Sequence, residues 1–394
     1  MAKIYIDRLL ETAVKQSADL YLTPGFEEQL RLNGKMRSLQ TKVLTTKDIA
    51  EIGEAITPDR ERHQLDEHGS TVFSFNFGEM ARFRVTVIRY HHGYDHGYAL
   101  ALRFHPPRPL PLEELQLPHT VPGLCRRPRG LFLIIGPQAS GKTTLLASIV
   151  DYFNRKFSGR ILTIERSIEF VHLPERATIV QRELGTHVKT VSDSLADIAN
   201  FGADAVVIDD LQEPDTILAA VELAYARRLL VFAGMSGRGA INAVRRLTQA
   251  ALSADRTNLS GALSETLVAV LYQELCSGTH EKPVPAREFL VVTPNVSKCI
   301  REQNFEKICD LMQSDRRYGM QLIDDELCRL AVDGSIARDE AIDRSADPGI
   351  MAERLGGPSD DDDGGALTDP TPARPKTPPG DLSTHADPES PIPP

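Results

Sequence analysis

A glycine-rich stretch near the middle of the chain constrains the fold more than any other feature. Residues 136–143 (GPQASGKT) match the phosphate-binding pattern G-x-x-x-x-G-K-[ST] at every fixed position. The apolar run at 131–135 predicts a strand that is buried on both faces. After the lysine, Leu145, Ser148 and Ile149 recur at helical spacing. Strand, glycine turn and helix together predict a nucleoside triphosphate site in an α/β core.

The residue types in this stretch explain how it would hold phosphate. Glycine lets the backbone curl, so that successive N–H groups and the N-terminus of the next helix point at phosphate oxygens. Lys142 is expected to reach the β- and γ-phosphates, and the Thr143 hydroxyl to ligate Mg²⁺. The predicted cofactors are therefore ATP and Mg²⁺. The predicted nucleotide-binding residues are Gly136, Pro137, Gln138, Ala139, Ser140, Gly141, Lys142, Thr143 and Thr144.

Length and composition set the broad class of the protein. A chain of 394 residues is longer than one ordinary domain, which predicts two folded domains and an accessory segment. No apolar run is long enough to span a bilayer and no signal peptide is recognisable, so we expect a cytoplasmic protein. The five cysteines are scattered without a C-x-x-C pair. This spacing favours packed, reduced thiols over a zinc site or a disulfide framework.

The net charge of −10 is concentrated at the C-terminal end. From Gly356 onward, eight acidic and two basic residues contribute −6 of this charge. The same segment is rich in proline and poor in apolar residues, which predicts a disordered tail, either solvated or an interaction segment. No concentrated basic stripe occurs elsewhere, so no nucleic acid partner is expected.

The N-terminal part reads as a small α/β domain over residues 1–104. Alternating apolar residues at 72–77 and 81–88 predict paired antiparallel strands, with Phe83, Val85 and Val87 facing inward. The arginines between them, Arg82 and Arg84, fall on the opposite face, which is typical of a solvated strand surface.

Prolines then mark a change of domain. A stiff linker is predicted over 105–122, because residues 106–111 carry four prolines. The nucleotide-binding domain is predicted over 123–348, with helices dominating from Leu263 to about Arg344, and the tail over 349–394.

Three apolar runs predict further buried strands, at 161–164, 205–208 and 229–232. Acidic residues follow the first two of these runs. Asp209 and Asp210 follow the second run, and Glu165 follows the first, with Glu169 nearby. Phosphoryl transfer needs a carboxylate near the metal and a group that orients water. Adjacent strand-end residues point to opposite faces, so Asp209 is the predicted metal-side residue, with Asp210 and Glu165 as catalytic candidates.

Short stretches over most of the chain form a series that is typical of one family. They are SADLYL at 17–22, RLNG at 31–34, RFRV at 82–85, ILTIE at 161–165, IEFVH at 168–172, QRE at 181–183, LSETL at 263–267 and GMQ at 319–321. In this order they resemble the PilT-like pilus retraction ATPases of the type II/type IV secretion ATPase superfamily. The resemblance runs from residue 1 to about residue 348.

This resemblance implies a hexameric ring whose subunits pair a PAS-like N-terminal domain with a RecA-like P-loop core and a helical C-terminal region. The N-terminal arginines Arg82, Arg84, Arg89 and Arg103 would lie near the triphosphate, and Glu165 would activate water. The implied role is ATP-driven pilus disassembly in twitching motility, at an inner-membrane platform protein. The protein would then be cytoplasmic and peripheral to the inner membrane.

The departures from the family pattern cluster at the chemistry. After Glu165, Arg166 and Ser167 replace the usual Asp-Pro and put a cation in place of an acid. Asp210 stands where the family carries glutamate, and Gln212 has replaced an arginine.

Three further positions have lost the ionisable side chains that the family carries. Ala196 and Asn200 align with a pair of arginines, and Met235 stands in place of a histidine. Methionine can neither transfer a proton nor donate a strong hydrogen bond to a γ-phosphate. Nucleotide binding is therefore better supported by the sequence than hydrolysis.

These observations leave two main functional hypotheses. The first is a motor ATPase whose chemistry rests on Lys142, Thr143, Glu165 and Asp210. The second is a nucleotide-binding pseudo-ATPase that assembles with an intact paralogue in a mixed ring. A third, a small-molecule kinase, explains the phosphate loop but not the family-like N- and C-terminal stretches.

Overall fold

The computed structural model describes residues 2–32, 34–92, 95–253, 259–280 and 282–356. These residues form a mixed α/β structure with two separate β-sheets. Each sheet has its own hydrophobic core, and a third cluster of buried residues packs around the last helices.

The N-terminal sheet has six antiparallel strands in the order β3-β2-β1-β6-β5-β4. Phe83, Val85 and Val87 of its fifth strand are buried, so the predicted inward face is confirmed. Its helix α2 begins at a capping box in which the Thr45 and Asp48 side chains bond each other's backbone N–H groups. The elements are α1 (Ala2–Gln16), β1 (Asp19–Leu22), β2 (Gln29–Leu32), β3 (Lys35–Ser38), α2 (Thr46–Ile56), α3 (Asp59–His68), β4 (Ser70–Phe77), β5 (Ala81–His92) and β6 (Asp95–His105).

The second sheet has seven strands in the order β13-β12-β7-β11-β10-β8-β9. All neighbouring pairs are parallel except β12 and β13. The three apolar runs predicted as strands form β8, β10 and β11. The strands are β7 (Gly130–Gly136), β8 (Arg160–Glu165), β9 (Thr178–Glu183), β10 (Ala205–Ile208), β11 (Leu230–Ser236), β12 (Leu267–Ser277) and β13 (Pro283–Val291).

Helices connect these strands and follow them at the C-terminal end. Short 3₁₀ turns occupy Leu112–Leu115 and Arg316–Tyr318. The helices are α4 (Val121–Leu124), α5 (Lys142–Lys156), α6 (Ser194–Phe201), α7 (Pro214–Tyr225), α8 (Ala240–Ser253), α9 (Leu259–Thr266), α10 (Pro294–Arg301), α11 (Glu306–Ser314), α12 (Ile323–Val332), α13 (Arg338–Arg344) and α14 (Pro348–Arg354).

The prediction that helices dominate from Leu263 to about Arg344 missed two strands in the C-terminal region. Two long strands, β12 and β13, intervene and extend the sheet, and the helices resume only at Pro294. Both strands are almost entirely buried, and a buried strand and a buried helix segment look alike as apolar runs. The helix α14 carries the ordered structure past position 349, with Met351 buried. Residues 357–394, the rest of the predicted tail, lie outside the described residues.

Within the part of the chain that the structure describes, no helix is both long and apolar enough to cross a membrane. Cys125, Cys276 and Cys299 are buried free thiols, whereas the Cys309 side chain is exposed.

Candidate functional site

The phosphate loop lies between the inner strand β7 and helix α5, as the sequence predicts. Its backbone is left-handed at Gly141 (φ 86°) and at Ala139 (φ 62°). Helix α5 begins at Lys142, so its first N–H groups have no partner within the helix and face the loop. The Lys142 ammonium donates to the carbonyl oxygens of Gly136 (2.9 Å) and Pro137 (2.7 Å). The lysine thus folds back over the loop, where it can exchange these carbonyls for phosphate oxygens.

A buried glutamine of strand β12 holds the phosphate loop through its backbone. The Gln273 amide on β12 donates to the Ser140 carbonyl over 2.8 Å and accepts from Arg287 Nε on β13 over 2.8 Å. A Cβ at Gly141 would come within 2.9 Å of the Gln273 amide nitrogen. The left-handed backbone at Gly141 and this close approach together favour glycine, and the glutamine holds the loop in position.

A cavity of about 800 Å³ opens in front of the phosphate loop. Most of its lining comes from the loop and start of α5, the segments after β8 and β10, and the N-terminal sheet. Residues of the following linker, β11 and β12 complete it. This size is within the range of small-molecule and cofactor sites. Its charged lining side chains are Asp19, Arg84, Arg103, Lys142, Arg166, Glu169, Asp209 and Asp210.

The two acids after β10 lie in this cavity with different partners. Asp209 accepts a hydrogen bond of 2.6 Å from the Arg166 backbone N–H, and burial raises the pKa of its carboxyl to about 6. Asp210 is close enough to Lys142 for its charge to raise the pKa of that lysine, against the lowering by burial. The predicted metal-side residue and its neighbour therefore both lie beside the phosphate loop.

Asp210 is also in contact with the residues that depart from the family pattern. Its Oδ2 lies 3.6 Å from an Arg166 guanidinium nitrogen and accepts from the Gln212 amide over 2.9 Å. Its Oδ1 is buried and has no hydrogen-bond partner in the described structure. Met235, which stands in place of the family histidine, is buried inside β11. The next residue of that strand, Ser236, lines the cavity instead.

Glu165 lies beside the main cavity rather than on its wall. It lines a small adjoining cavity of about 20 Å³ together with Thr143 and Asp209, which also line the large one. Its carboxylate accepts hydrogen bonds from Thr163 (2.5 Å) and Gln181 (3.0 Å). Burial, which outweighs these two bonds, raises the pKa of Glu165 to about 7. A carboxyl of this kind can accept a proton near neutral pH.

The N-terminal arginines divide into two pairs. Arg84 and Arg103 line the large cavity, and Arg84 donates to Glu169 over 3.2 Å. Arg82 instead donates to the Ile168 carbonyl over 2.5 Å, and Arg89 pairs with Asp66 over 3.2 Å. Of the four arginines, Arg82 and Arg89 do not line the cavity.

Several site residues were not assigned a role from the sequence alone. His105 lies at the end of β6, with its Nδ1 3.7 Å from a Glu169 oxygen, and burial lowers its pKa, which favours the neutral ring. Gln181 orients Glu165, and Gln273 supports the loop. Only Gln181 carried a signal, the QRE stretch, because the contacts of the others depend on tertiary packing. The Ala196 side chain lies outside the described residues.

The residues present fit a nucleotide with its metal ion. The described residues contain no cluster of three or more metal-ligating side chains, so a metal would need ligands from the nucleotide itself. Thr143 and Asp209 supply hydroxyl and carboxylate oxygens beside the same cavity as Lys142. One or two protein oxygens completed by phosphates and water is the usual environment of Mg²⁺.

Comparison with known proteins assigns the chain to a family. Residues 5–334 match the family model of the type II/IV secretion system protein. The type IV pilus retraction ATPase PilT of Pseudomonas aeruginosa is 30% identical over 344 residues, which cover 87% of this chain and 98% of the relative. A twitching motility protein of Neisseria gonorrhoeae is 30% identical over 345 residues, covering 87% of this chain and 90% of the relative.

A solved structure matches to the same extent. The crystal structure of the pilus retraction motor PilT with bound ADP superposes with a TM-score of 0.78 at 28% identity, covering 88% of this chain and 99% of that chain. This chain belongs to the type II/IV secretion system protein family.

Proposed function

We propose that this protein is a Mg²⁺-dependent ATPase that works as a ring-shaped motor in pilus retraction or a related secretion machine. The observation that carries the proposal is the convergence of Lys142, Asp209, Asp210 and Arg84 on one cavity, with Glu165 beside it. The relatives named above, a pilus retraction ATPase and a motor solved with ADP, support it.

In the proposed reaction, a water oxygen attacks the γ-phosphorus of ATP, and the bond from that phosphorus to the β–γ bridging oxygen breaks. Glu165 accepts the proton of the attacking water, since the raised pKa gives this carboxyl enough basicity near pH 7. Lys142 and Arg84 stabilise the negative charge that spreads over the phosphate oxygens. The products are ADP and inorganic phosphate.

Thr143 and Asp209 would hold Mg²⁺ together with the phosphates. The ion would neutralise part of the charge on the phosphate oxygens and so make the γ-phosphorus easier to attack. Asp210 orients the water, with its unpartnered Oδ1 free to accept a hydrogen bond.

We further propose that the N-terminal part is a PAS-like domain and that the second sheet belongs to a RecA-like core. A single antiparallel sheet flanked by helices supports the first, and the parallel strand order around the phosphate loop supports the second. Subunits of this kind are proposed to form a homo-hexamer, or a mixed ring with a paralogue, at an inner-membrane platform protein. The protein itself would be cytoplasmic.

A specific contact favours the nucleotide-binding pseudo-ATPase as the second candidate. The Arg166 guanidinium lies 3.6 Å from Asp210, one of the strand-end acids, while the phosphate loop itself is intact. In that case the chain would bind ATP and change the behaviour of an intact partner without turnover.

Phosphate release by the purified protein with Mg²⁺ and ATP separates the two candidates. The control is Lys142→Ala, which removes the phosphate-binding ammonium, and nucleotide binding is measured in parallel by titration calorimetry. The motor proposal expects turnover that disappears in the control. Saturable ATP binding without phosphate release, in protein shown by light scattering to be assembled, would establish the pseudo-ATPase instead.

A further inference from the structure

We infer that Arg166 distinguishes nucleoside triphosphates from diphosphates in this chain, by moving its guanidinium from Asp210 to the terminal phosphate. The inference deepens the proposed function and rests on it, because it concerns the same cavity. It also gives a role to the cation that stands where the family carries an acid.

The backbone places Arg166 at the edge of the cavity. It follows β8 directly, and its N–H donates to Asp209 Oδ2 over 2.6 Å, which fixes its main chain between the ends of two parallel strands. Its side chain lines the cavity with Lys142 and is 49% exposed. A side chain that is anchored at its backbone but half exposed can change partners without disturbing the core.

The contact with Asp210 is loose enough to be exchanged. A guanidinium nitrogen lies 3.6 Å from Asp210 Oδ2, beyond the 2.7–2.9 Å that is typical of a charge-assisted hydrogen bond. A terminal phosphate offers the guanidinium fork two oxygens at once, and Arg–phosphate pairs of this kind are frequently bidentate. A triphosphate therefore competes well for Arg166, whereas a diphosphate lacks the terminal group.

The exchange has a consequence for Asp210. With Arg166 withdrawn, its Oδ2 keeps only the Gln212 amide, and its buried Oδ1 still has no hydrogen-bond partner in the described structure. The carboxylate then has room to accept a hydrogen bond from water. Binding of a triphosphate would thus both occupy Arg166 and release the acid that orients water.

Another arginine at the ends of these strands, Arg246, is held by the carbonyl oxygens of Ser236 (2.9 Å) and Gln212 (3.1 Å) and does not line the cavity. Met235 is buried in β11, and Ser236, which follows it into the cavity, carries no charge. Among the residues that directly follow the described strands β8, β10 and β11, Arg166 is the cation that lines the cavity, whereas Lys142 is needed for both nucleotides.

Nucleotide affinity tests this inference without relying on turnover. We would titrate the full-length wild type, Arg166→Ala and Arg166→Lys with Mg²⁺ and either ADP or the non-hydrolysable analogue AMP-PNP. Loss of a charge-assisted hydrogen bond predicts AMP-PNP binding roughly 10- to 100-fold weaker in Arg166→Ala. ADP affinity should change by less than about threefold, and Arg166→Lys should recover part of the loss, because a lysine makes one point contact.

Arg227→Ala is the matched control. Arg227 is exposed in the turn between α7 and β11, at the opposite end of the parallel strands, and its removal changes the net charge equally. This variant should bind both nucleotides like the wild type. Thermal melting of each variant checks that the fold is retained, as expected for half-exposed and exposed side chains.

The outcomes separate the inference from the proposed function. Equal weakening of AMP-PNP and ADP in Arg166→Ala, or no weakening of either, would overturn the role in discrimination. Selective weakening of AMP-PNP binding in Arg166→Ala, combined with a wild type that never releases phosphate, would support the inference while contradicting the motor proposal. A wild type that binds neither nucleotide would overturn both.

Discussion

Arg84 of the N-terminal sheet donates to Glu169 of the loop after β8 over 3.2 Å, and His105 contacts the other oxygen of the same carboxylate. The Ser74 and Ser167 hydroxyls pair over 3.0 Å beside them, and Arg82 donates to the Ile168 carbonyl. The loop that carries Arg166 is therefore held from one side by the N-terminal sheet and from the other by the strands of the core. A movement of the N-terminal sheet would change the cavity through these contacts.

The first prediction concerns this contact. Glu169→Gln keeps the size of the side chain but removes the charge that pairs with Arg84, and Glu169 is only 8% exposed. We expect the free energy of unfolding to fall by about 1 kcal/mol, because the Arg84 side chain is partly screened by solvent. Urea denaturation followed by circular dichroism measures the change. Glu175→Gln, the same substitution at an exposed residue, should leave the midpoint in place; an equal shift in both variants would argue against a specific pair.

The second prediction is a pH profile set by Glu165. Burial raises the pKa of this carboxyl to about 7, and only its ionised form accepts a proton. Turnover should therefore rise as the pH increases from about 6 to 8, with the midpoint near 7. The Thr163 hydroxyl stabilises the carboxylate, so Thr163→Val should move the midpoint to higher pH. Phosphate release at constant ionic strength gives both profiles, and an unchanged midpoint in the variant would exclude Glu165 as the titrating group.

The third prediction concerns the support below the phosphate loop. Gln273→Leu removes the acceptor of the buried Arg287 Nε, although Nη1 keeps the Gln116 carbonyl, so we expect a destabilisation of about 1–3 kcal/mol together with weaker nucleotide binding. In the double variant with Arg287→Met the buried guanidinium with its unsatisfied Nε is gone, and stability should partly recover while binding stays weak. Thermal unfolding and calorimetry of the set distinguish the two effects. Recovery of nucleotide affinity in the double variant would show that the loop does not depend on the glutamine.

The fourth prediction uses the backbone of the phosphate loop. Ala139 adopts φ 62°, a left-handed conformation that costs a residue with a Cβ roughly 1–2 kcal/mol. Ala139→Gly removes this strain but adds entropy to the unfolded chain, so we expect a net stabilisation of about 0.5–1 kcal/mol. The reverse change at Gly141 (φ 86°), Gly141→Ala, should destabilise and weaken nucleotide binding. Melting temperatures with and without nucleotide check both; a destabilised Ala139→Gly would contradict the strain.

Much of the fold could be predicted from the sequence because its patterns are local. The phosphate loop depends on a fixed spacing of Gly136, Gly141 and Lys142, and the strands β8, β10 and β11 are continuous apolar runs. The alternation around Phe83 likewise reveals which face of β5 is buried.

The remaining features depend on contacts between distant residues. The strands β12 and β13 are buried and read like helix segments, so their pairing, and with it the position of Gln273, could not be read from the chain. Arg82 and Arg84 sit two residues apart on one strand face, yet only Arg84 lines the cavity, because the loop after β8 takes up Arg82. The Arg166–Asp210 contact joins two strand ends that are 44 residues apart in sequence.

Phosphate release by Glu165→Gln tests the central claim most directly. The substitution keeps the shape of the side chain and removes its ability to accept a proton, so binding of Mg²⁺ and ATP should remain within about threefold of the wild type. Turnover should fall by about 10²–10⁴-fold, the usual contribution of a general base. A turnover rate in Glu165→Gln equal to that of the wild type would contradict the assignment of Glu165 as the general base. Absence of turnover in the assembled wild type would contradict the motor account as a whole.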